Sequence, residues 1–435
     1  MNKLLQITTC GLKNIERPIV LDLANQTIVN GVTKINHVKG IYGYNGAGKT
    51  ALIKSMEFYS KIVLNPDYLI QNETQYQLEK LINKKTNLFS VSCVFETGAD
   101  FVVRHTLELE NDVESNVVTI RKEKLEKSVG RTINDKYVTL IENNNGNIQI
   151  HPNYIDGQTE LLLGSNLARS SFIPVFLLKV VENSNKKAQL RVDRLGVLLI
   201  QYFVNIRTIE VCTLHSDDFN NNILTSKQIR EILRNNPDII TSEQPKTFNL
   251  NRDIEIVNKN EIDDYCKTLK GLTKFLKIFK PELKDIKPEK SIDGDVYRVK
   301  KVFVYKEYPV EFQFESSGIR QLTQLYWYLS KCAHGQIVFI DEMDVNINTV
   351  YFKKLVSYFA NFGKGQLIFT THNVESMEAL KTHKRSISVI GVDGNLDTWV
   401  GKGNRSPIND YLGGYFPHSP MNVEDFDFIS IFEGE

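Results

Sequence analysis

Residues 43–50, which read GYNGAGKT, constrain the fold of this chain more than any other segment. They match the pattern G-x-x-x-x-G-K-[ST], which binds phosphate when it joins a strand to the beginning of a helix. Residues 37–42 before the pattern predict a short strand, and the spaced apolar residues in 51–60 predict a helix. The sequence therefore predicts a phosphate-binding loop (P-loop), and a glycine turn that fits the pattern by chance is the alternative.

Each residue type in this loop suits the binding of phosphate. Glycines let the backbone turn so that successive N–H groups point at phosphate oxygens, and the helix N-terminus adds a partial positive charge. Lys49 is expected to neutralise the β- and γ-phosphates, and Thr50 to offer its hydroxyl to Mg²⁺. The other residues expected to bind the nucleotide here are Gly43, Asn45, Gly46, Ala47 and Gly48.

Two further apolar segments end in polar residues whose chemistry complements a P-loop. Residues 337–340 are followed by Asp341 and Glu342, and residues 366–371 by His372. Apolar runs of this length predict buried parallel strands, whose carboxyl ends meet at one edge of a sheet. We expect Asp341 to hold Mg²⁺, Glu342 to polarise an attacking water, and His372 to sense the γ-phosphate. The alternatives are a charged strand end for the two acids and a structural role for the histidine.

The composition is that of an ordinary globular protein. The chain is 41% hydrophobic and 24% charged with a net charge of +1, which argues against a strongly electrostatic nucleic-acid binder. Its five cysteines are scattered without a C-x-x-C pair, which favours a reducing compartment over disulfides or zinc. The N-terminus lacks the pattern of a signal peptide, and the most apolar run, 195–206, is too short to span a bilayer. We therefore expect a cytoplasmic protein without membrane contact.

The remaining segments predict a mixture of antiparallel strands and helices. Residues 89–95 and 101–109 predict a β-hairpin, which 117–120 and 137–141 extend, and residues 71–87 predict a loop followed by a helix. Further strands are predicted over 4–8, 19–23 and 386–391, with two more from residue 297 onward joined by a turn near Glu307. Helices are predicted over 175–181, 195–206, 226–233, 262–278 and 350–361, with a short one near 410–412.

Two weaker features each have an ordinary structural alternative. The first is a candidate metal cluster, for which a surface loop is the alternative; it comprises His215, Asp217 and Asp218. The second is a basic stripe at helical spacing, which could contact nucleic acid or be a solvated helix face; it comprises Lys270, Lys274, Lys277 and Lys280.

A family resemblance appears in residues 315–320, which read ESSGIR. This segment resembles the ABC-type signature in the ESSG form of some SMC-like and OLD-like ATPases. The order of the motifs is also similar, because Asp344 stands at the D-loop position and His372 at the switch-histidine position. Residues 11–15 resemble the N-terminal segment of these proteins. Residues 411–414, with Pro417 or Pro420, resemble the C-terminal segment of bacterial AAA-annotated ABC ATPases that are associated with abortive infection and phage defence.

The resemblance implies a fold, a domain division and a set of ligands. The fold would be α/β: an ABC-type P-loop ATPase head, with a mixed sheet, helices, an antiparallel β subdomain and a large, mainly helical insertion. Residues 1–110 and 295–435 would form the head, and 111–294 the insertion. ATP and Mg²⁺ would bind between two or more copies of the chain, because the signature of one copy caps the P-loop of another. The nucleotide-binding residues implied in this way are Lys13, Asn14, Ser316, Ser317, Gly318 and Asp344.

The signature departs from LSGGQ at Glu315, Ser317 and Ile319, and residues 345–348 lack the Leu-His-Pro that often follows the D-loop aspartate. We expect slow, Mg²⁺-dependent ATP hydrolysis that regulates a toxic effector, such as a nuclease encoded nearby, in an anti-phage system. An SMC-like DNA repair or tethering ATPase is the alternative, but Asn, Gly and Pro interrupt every candidate heptad in the insertion. A transporter subunit, and an insertion that is itself an unrecognised enzyme, are further alternatives.

Overall fold

The structure is a computed structural model. It describes residues 3–29, 32–97, 101–155, 159–184, 194–213, 248, 250–391, 393–401, 405–416 and 432. Three sequence predictions lie outside these residues: the helix over 226–233, the candidate metal cluster at 215–218, and the prolines at 417 and 420.

Strands and helices alternate along the described chain. The strands are β1 Lys3–Cys10, β2 Ile19–Asp22, β3 Ala24–Val29, β4 Val32–Ile35, β5 Val38–Gly43, β6 Leu88–Glu96, β7 Val102–Asp112, β8 Val117–Ser128, β9 Tyr137–Asn144, β10 Asn147–Ile150, β11 Ile209–Cys212, β12 Ile254–Asn258, β13 Asp285–Asp293, β14 Val296–Val304, β15 Pro309–Glu311, β16 Ile337–Ile340, β17 Gln366–Thr370, β18 Ile387–Ile390 and β19 Leu396–Thr398. The helices are α1 Lys49–Leu64, α2 Asn72–Leu81, α3 Phe172–Ser184, α4 Arg194–Ile206, α5 Ile262–Phe279, α6 Ser317–Ala333, α7 Thr349–Phe362, α8 Ser376–Leu380 and α9 Pro407–Leu412.

The central sheet has the strand order β11-β16-β17-β5-β18-β19. Its pairs are parallel except for the antiparallel edge pair β18–β19. Every residue of β5, β16, β17 and β18 is buried, which fits parallel strands that are covered on both faces. The carboxyl ends of β5, β16 and β17 therefore lie side by side, and each precedes a predicted site residue.

A second, antiparallel sheet has the order β10-β9-β8-β7-β6-β1-β2. Buried residues alternate with partly exposed ones along β7, as expected when only one face of a strand packs on a core. That face shares an apolar cluster with α1, α3 and α4. The predicted hairpin and its extension are confirmed, and the extension is longer than predicted.

A third sheet has the order β12-β14-β13, with β15 paired to β14. Together with α5, α6 and α7 it contributes to a second apolar cluster. The two predicted strands around Glu307 are β14 and β15, and the predicted helix 262–278 is α5.

Two expectations differ from the structure. In 71–87 the helix comes first, as α2, because Thr74 and Leu78 are buried one turn apart, and a loop follows it.

Residues 111–294 are not mainly helical in their described part. They contain β8–β13 as well as α3–α5, since residues 117–150 alternate in burial as strands do. The expected domain boundary at 110/111 falls inside β7, and β11 pairs with β16 of the central sheet. The division into domains stays a prediction.

Of the helices that the structure describes, none combines the length and the apolar character needed to cross a membrane.

Candidate functional site

The P-loop connects β5 to α1, so the predicted strand, loop and helix are confirmed. Gly43, Gly46 and Gly48 have φ values of 140°, 79° and 112°, a region that residues with a side chain rarely adopt. A Cβ on Gly43 would lie 2.2 Å from the carbonyl oxygen of Ile390, so a side chain cannot fit beside β18. The glycines are therefore required by the path of the backbone.

Lys49 begins α1 and is almost completely buried. Its Nζ donates to the carbonyl oxygens of Gly43 at 2.8 Å and Tyr44 at 2.6 Å, which holds the ammonium against the loop. Burial lowers the pKa of Lys49, while the charges of Asp341, Glu342 and Asp344 act to raise it. The cation is thus influenced by acidic residues that follow β16, two strands from β5 in the central sheet. A phosphate group bound in the loop would offer the ammonium a full negative charge in place of the two carbonyl oxygens.

Thr370, at the end of β17, positions both predicted acidic residues that follow β16. Its Oγ1 donates to Oδ1 of Asp341 at 2.6 Å and accepts from the backbone N–H of Glu342 at 2.7 Å. Its carbonyl oxygen accepts from the N–H of Met343 at 3.0 Å. Sequence reasoning missed Thr370; its position at the end of an apolar strand, as for Asp341, was the available signal.

Glu342 has a φ of 49°, in the left-handed region that costs free energy for a residue with a side chain. Asp341 directly follows β16 and is buried, whereas Glu342 is half-buried. The change of backbone conformation between the two residues directs their side chains differently. Such strain is typical of functional positions that the surrounding structure holds in place.

His372 follows β17 and lies at the exposed rim of this edge. Partial burial lowers its pKa below the ordinary 6.5, and the nearby Lys49 ammonium lowers it further, while Asp344, Glu342 and Asp341 act in the opposite direction. The structure therefore brings Lys49, Asp341, Glu342, Asp344 and His372 into one electrostatically coupled group. The lowered pKa favours the neutral imidazole near pH 7.

The N-terminal segment contacts the P-loop through Asn14. The Asn14 side-chain amide donates to the carbonyl oxygen of Gly46. Burial lowers the pKa of Lys13, and Lys54 lowers it further, while Asp341 acts to raise it. Both residues implied by the resemblance thus lie at the same site.

Residues 315–317 form the turn that begins α6. The Ser316 hydroxyl accepts from the N–H of Ile319 at 3.3 Å, which makes Ser316 the N-cap. Glu315 is buried, where it accepts from the Tyr305 hydroxyl at 2.7 Å, and this explains one departure from LSGGQ. Ser316 and Ser317 are exposed, so their polar groups and the first N–H groups of α6 are accessible to another molecule.

The oxygen atoms of Asp341 and Thr50 suit Mg²⁺ better than a metal that must be coordinated by protein ligands alone. Among the described residues, no group of three or more His, Cys, Asp and Glu side chains could hold a metal ion. Mg²⁺ is commonly bound by one or two protein oxygens together with substrate phosphates and water. Asp341, fixed by Thr370, and Thr50, at the start of α1, are the residues that would hold it.

The basic stripe is exposed over most of its length on α5, at Lys270, Lys274 and Lys277. Lys280 is half-buried, and its Nζ lies 3.9 Å from a carboxylate oxygen of Glu282.

Comparison with known proteins gives limited likenesses. A family described as "AAA domain, putative AbiEii toxin, Type IV TA system" matches residues 216–378, which include the signature, β16 and His372 but not the P-loop. No curated protein matches the chain. Among solved structures, the Smc head domain with an extended coiled coil, bound to the C-terminal domain of ScpA, from Pyrococcus furiosus is 11% identical. It covers 92% of this chain and 97% of its own, with a TM-score of 0.46. The SMC head domain from Thermotoga maritima is 13% identical, covers 92% of this chain and 100% of its own, and has a TM-score of 0.35.

The strand order of the central sheet and the position of the P-loop between β5 and α1 confirm the predicted α/β fold class with an antiparallel β subdomain.

Proposed function

We propose that this chain is an ATP-hydrolysing switch whose active sites are completed between two copies of the chain. The observation that carries the proposal is the meeting of the P-loop with Lys49, Asp341, Glu342 and His372 at one edge of the central sheet. Phosphoryl transfer to water requires a phosphate cradle, a metal ligand and a group that orients the water, and these residues supply all three.

Each residue has a defined task in this proposal. Lys49 and the P-loop N–H groups bind the β- and γ-phosphates of the substrate, and Thr370 holds Asp341 in place for Mg²⁺. Bound Mg²⁺ neutralises charge on the transferred phosphoryl group. Glu342 accepts a proton from the attacking water, and neutral His372 contacts the γ-phosphate.

The exposed start of α6 supports completion of the site by a second copy. The hydroxyls of Ser316 and Ser317 and the N–H groups of Ser317 and Gly318 can donate hydrogen bonds to an anion. We propose that they cap the γ-phosphate in the partner's P-loop, so that ATP joins two copies and hydrolysis releases them.

The output that we propose is control of a toxic effector in a bacterial anti-phage system in the cytoplasm. The ESSG form of the signature supports it, and the matched family's description names a toxin and a type IV TA system. Co-purification with the product of a neighbouring gene tests this output. DNA-stimulated ATP hydrolysis without such a partner would favour the SMC-like alternative.

Two substitutions test the ATPase itself. Lys49→Ala is expected to abolish ATP binding in calorimetry, because it removes the cation that faces the phosphates. Glu342→Gln is expected to bind ATP normally but to lose hydrolysis and to accumulate as a species of twice the 49.9 kDa chain mass. Lys287→Ala, at an exposed position on β13, is the matched control and should change neither property. Normal hydrolysis by Glu342→Gln would contradict its role as the base.

A further inference from the structure

Residues 11–15, in the connection from β1 to β2, follow a strained backbone path. Lys13 has a φ of 52°, in the left-handed region that is unfavourable for a residue with a long side chain. Gly11 has a φ of 81°, and a Cβ at this position would lie 1.8 Å from the carbonyl oxygen of Leu88. A strained residue that its surroundings hold in place is a candidate for a functional role.

This path brings the segment against the P-loop. The side-chain amide of Asn14 donates to the carbonyl oxygen of Gly46. A Cβ at Gly48 would lie 3.2 Å from Cγ1 of Ile15 and 3.7 Å from Oδ1 of Asn14. The Lys13 side chain is exposed beside these contacts, so its ammonium is accessible to a nucleotide in the loop.

The charges that act on Lys13 indicate which part of a nucleotide its ammonium would meet. Partial burial lowers the pKa of Lys13, Lys54 on α1 lowers it further, and Asp341 acts to raise it. Asp341 is the proposed ligand of Mg²⁺, and Mg²⁺ in P-loop sites bridges the β- and γ-phosphates. The ammonium of Lys13 is therefore on the side of the P-loop where the terminal phosphates would bind.

Asn83 holds the backbone of Lys13. It lies in the loop 82–87, between α2 and β6, and is 7% exposed. Its side-chain Nδ2 donates to the carbonyl oxygen of Lys13 at 2.8 Å, and its backbone N–H donates to the carbonyl oxygen of Gly11 at 2.9 Å. The N–H of Lys13 donates to the carbonyl oxygen of Leu81 at 2.6 Å. Both polar groups of the Lys13 backbone are thus bonded to the end of α2 and the loop that follows it.

The loop and helix that carry these contacts are themselves anchored. Oδ1 of Asn83 accepts from the N–H of Lys85 at 2.9 Å, which sets the orientation of the Asn83 amide. On α2, Oε1 of Gln75 accepts from the N–H of Val118 at 2.8 Å, and its Nε2 donates to the carbonyl oxygen of Val118 at 3.0 Å. The contact with Lys13 therefore belongs to a framework that is fixed to β8 of the antiparallel sheet.

We propose that Asn83 is a positioning residue of the nucleotide site, which holds Lys13 in its left-handed conformation so that the ammonium faces the γ-phosphate. This rests on the proposed function, because it requires ATP in the P-loop. Without the Nδ2 donor, the Lys13 carbonyl loses this hydrogen bond and the backbone can leave the strained region. ADP lacks the group that the ammonium would face, so the effect should fall on ATP alone.

Calorimetry of the full chain with ADP and with a non-hydrolysable analogue of ATP tests the proposal. Asn83→Ala should weaken binding of the analogue roughly tenfold and binding of ADP less than about twofold, since only the contact with the charged γ-phosphate is lost. Lys13→Ala should give the same pattern, and it removes an exposed side chain without a change in the core. Equal losses for the two nucleotides, or no loss for either, would overturn the proposal.

A double-mutant cycle separates positioning from a general structural role. In a Lys13→Ala chain, Asn83→Ala should cause no further loss of affinity for the analogue, because the ammonium through which it acts is already absent. Losses that add in the double variant would show that Asn83 does not act through Lys13.

Asn143 provides the matched control, because it is a buried asparagine near the opposite end of the antiparallel sheet from β1. Its Nδ2 donates to the Leu167 carbonyl oxygen at 3.0 Å and its Oδ1 accepts from the Gly146 N–H at 2.9 Å, so Asn143→Ala removes the same kinds of hydrogen bond. Lys84→Ala is the charge control, since it removes an exposed cation next to Asn83. Both controls should leave both affinities unchanged, and a selective loss of the analogue in either would overturn the assignment.

The wild-type chain separates this proposal from the proposed function. A wild-type chain that binds neither nucleotide would contradict the proposed function and this proposal together. A wild-type chain that binds both, with an Asn83→Ala variant that loses no selectivity for the analogue over ADP, would contradict this proposal alone.

Discussion

At the scale of single residues, one hydroxyl group connects the two acids of the proposed active site. Thr370 donates to the Asp341 carboxylate and accepts from the N–H of Glu342. Glu342 is held at a φ of 49°, so the contact also fixes a strained backbone. The positions of the proposed metal ligand and the proposed base thus depend on a residue to which we assign no part in the chemistry.

Substitution of Thr370 measures this dependence. Thr370→Val keeps the shape of the side chain but removes both hydrogen bonds, one of which is to a charged group. We expect ATP hydrolysis to fall roughly 10- to 100-fold, the range that corresponds to loss of one such bond. Steady-state phosphate release checks the rate, and calorimetry should show that ATP still binds.

Thr370→Ser is the control, because it retains the hydroxyl and should keep the rate within a few-fold of the wild type. A Thr370→Val protein that hydrolyses ATP at the normal rate would show that the hydroxyl has no positioning role.

At the scale of elements, helix α6, which the signature residues begin, is tied to the edge strand of the central sheet. Lys331 on α6 forms a buried ion pair with Glu210 on β11, and its Nζ lies 3.8 Å from the centroid of the Trp327 ring. Burial raises the pKa of Glu210 above its ordinary 4.5, and the Lys331 cation acts against that shift. The pair therefore holds a charge that this environment would otherwise disfavour.

Lys331→Met should destabilise the protein by about 3 kcal/mol, because it leaves the Glu210 carboxylate buried without its partner. The urea midpoint of unfolding checks the loss. A raised carboxyl pKa means that the folded state binds the proton more tightly than the unfolded state. The loss of unfolding free energy caused by Lys331→Met should therefore be largest above the pKa of Glu210 in the folded state. This loss should become smaller as the pH falls through that pKa.

The matched control is Lys381→Met, since Lys381 pairs with Glu378 at 3.3 Å on the surface. This substitution should lower the free energy of unfolding by about 0.5 kcal/mol or less. Equal losses for the two variants would contradict the importance of the buried pair.

Local patterns predicted some elements well and others poorly. The P-loop was predictable because the four specified residues of an eight-residue pattern demand one backbone path. Asp341 and Glu342 were predictable because an apolar run ends immediately before them. The role of Thr370 was not predictable, because it depends on the parallel pairing of β16 with β17. The position of β11 in the central sheet was also hidden, because its partner β16 is more than a hundred residues away.

At the scale of the whole molecule, a buried polar cluster joins the P-loop helix to the antiparallel sheet. The Tyr59 hydroxyl on α1 lies 2.8 Å from Nδ1 of His105 and 2.6 Å from the Tyr202 hydroxyl on α4. Nε2 of His105 lies 3.0 Å from Oε1 of Glu123 on β8, which also accepts from the Ser171 hydroxyl. The cluster thus links α1, α4, β7 and β8 to the segment that begins α3.

Glu123→Gln should destabilise the whole protein by about 1–3 kcal/mol, because an amide nitrogen replaces one of two oxygens that accept hydrogen bonds in the core. The second carboxylate oxygen of Glu123 accepts from the Phe172 N–H at 3.0 Å. Replacement of either oxygen by an NH₂ group should therefore lower the free energy of unfolding. Circular dichroism during urea unfolding checks the loss. Glu142→Gln, in a surface pair with Lys122, is the control and should lie close to the wild type. A normal midpoint for Glu123→Gln would contradict a joining role for the cluster.

The proposed function requires that two copies of the chain share one nucleotide, and mixing two inactive variants tests this sharing directly. Lys49→Ala disables the P-loop, and Ser317→Glu places a carboxylate where the γ-phosphate of the partner would lie, without harm to the start of α6. Each variant alone should be inactive. An equal mixture should recover up to about a quarter of the wild-type ATPase rate, because mixed dimers contain one intact shared site. A mixture as inactive as its components, or full activity of Ser317→Glu alone, would contradict the account.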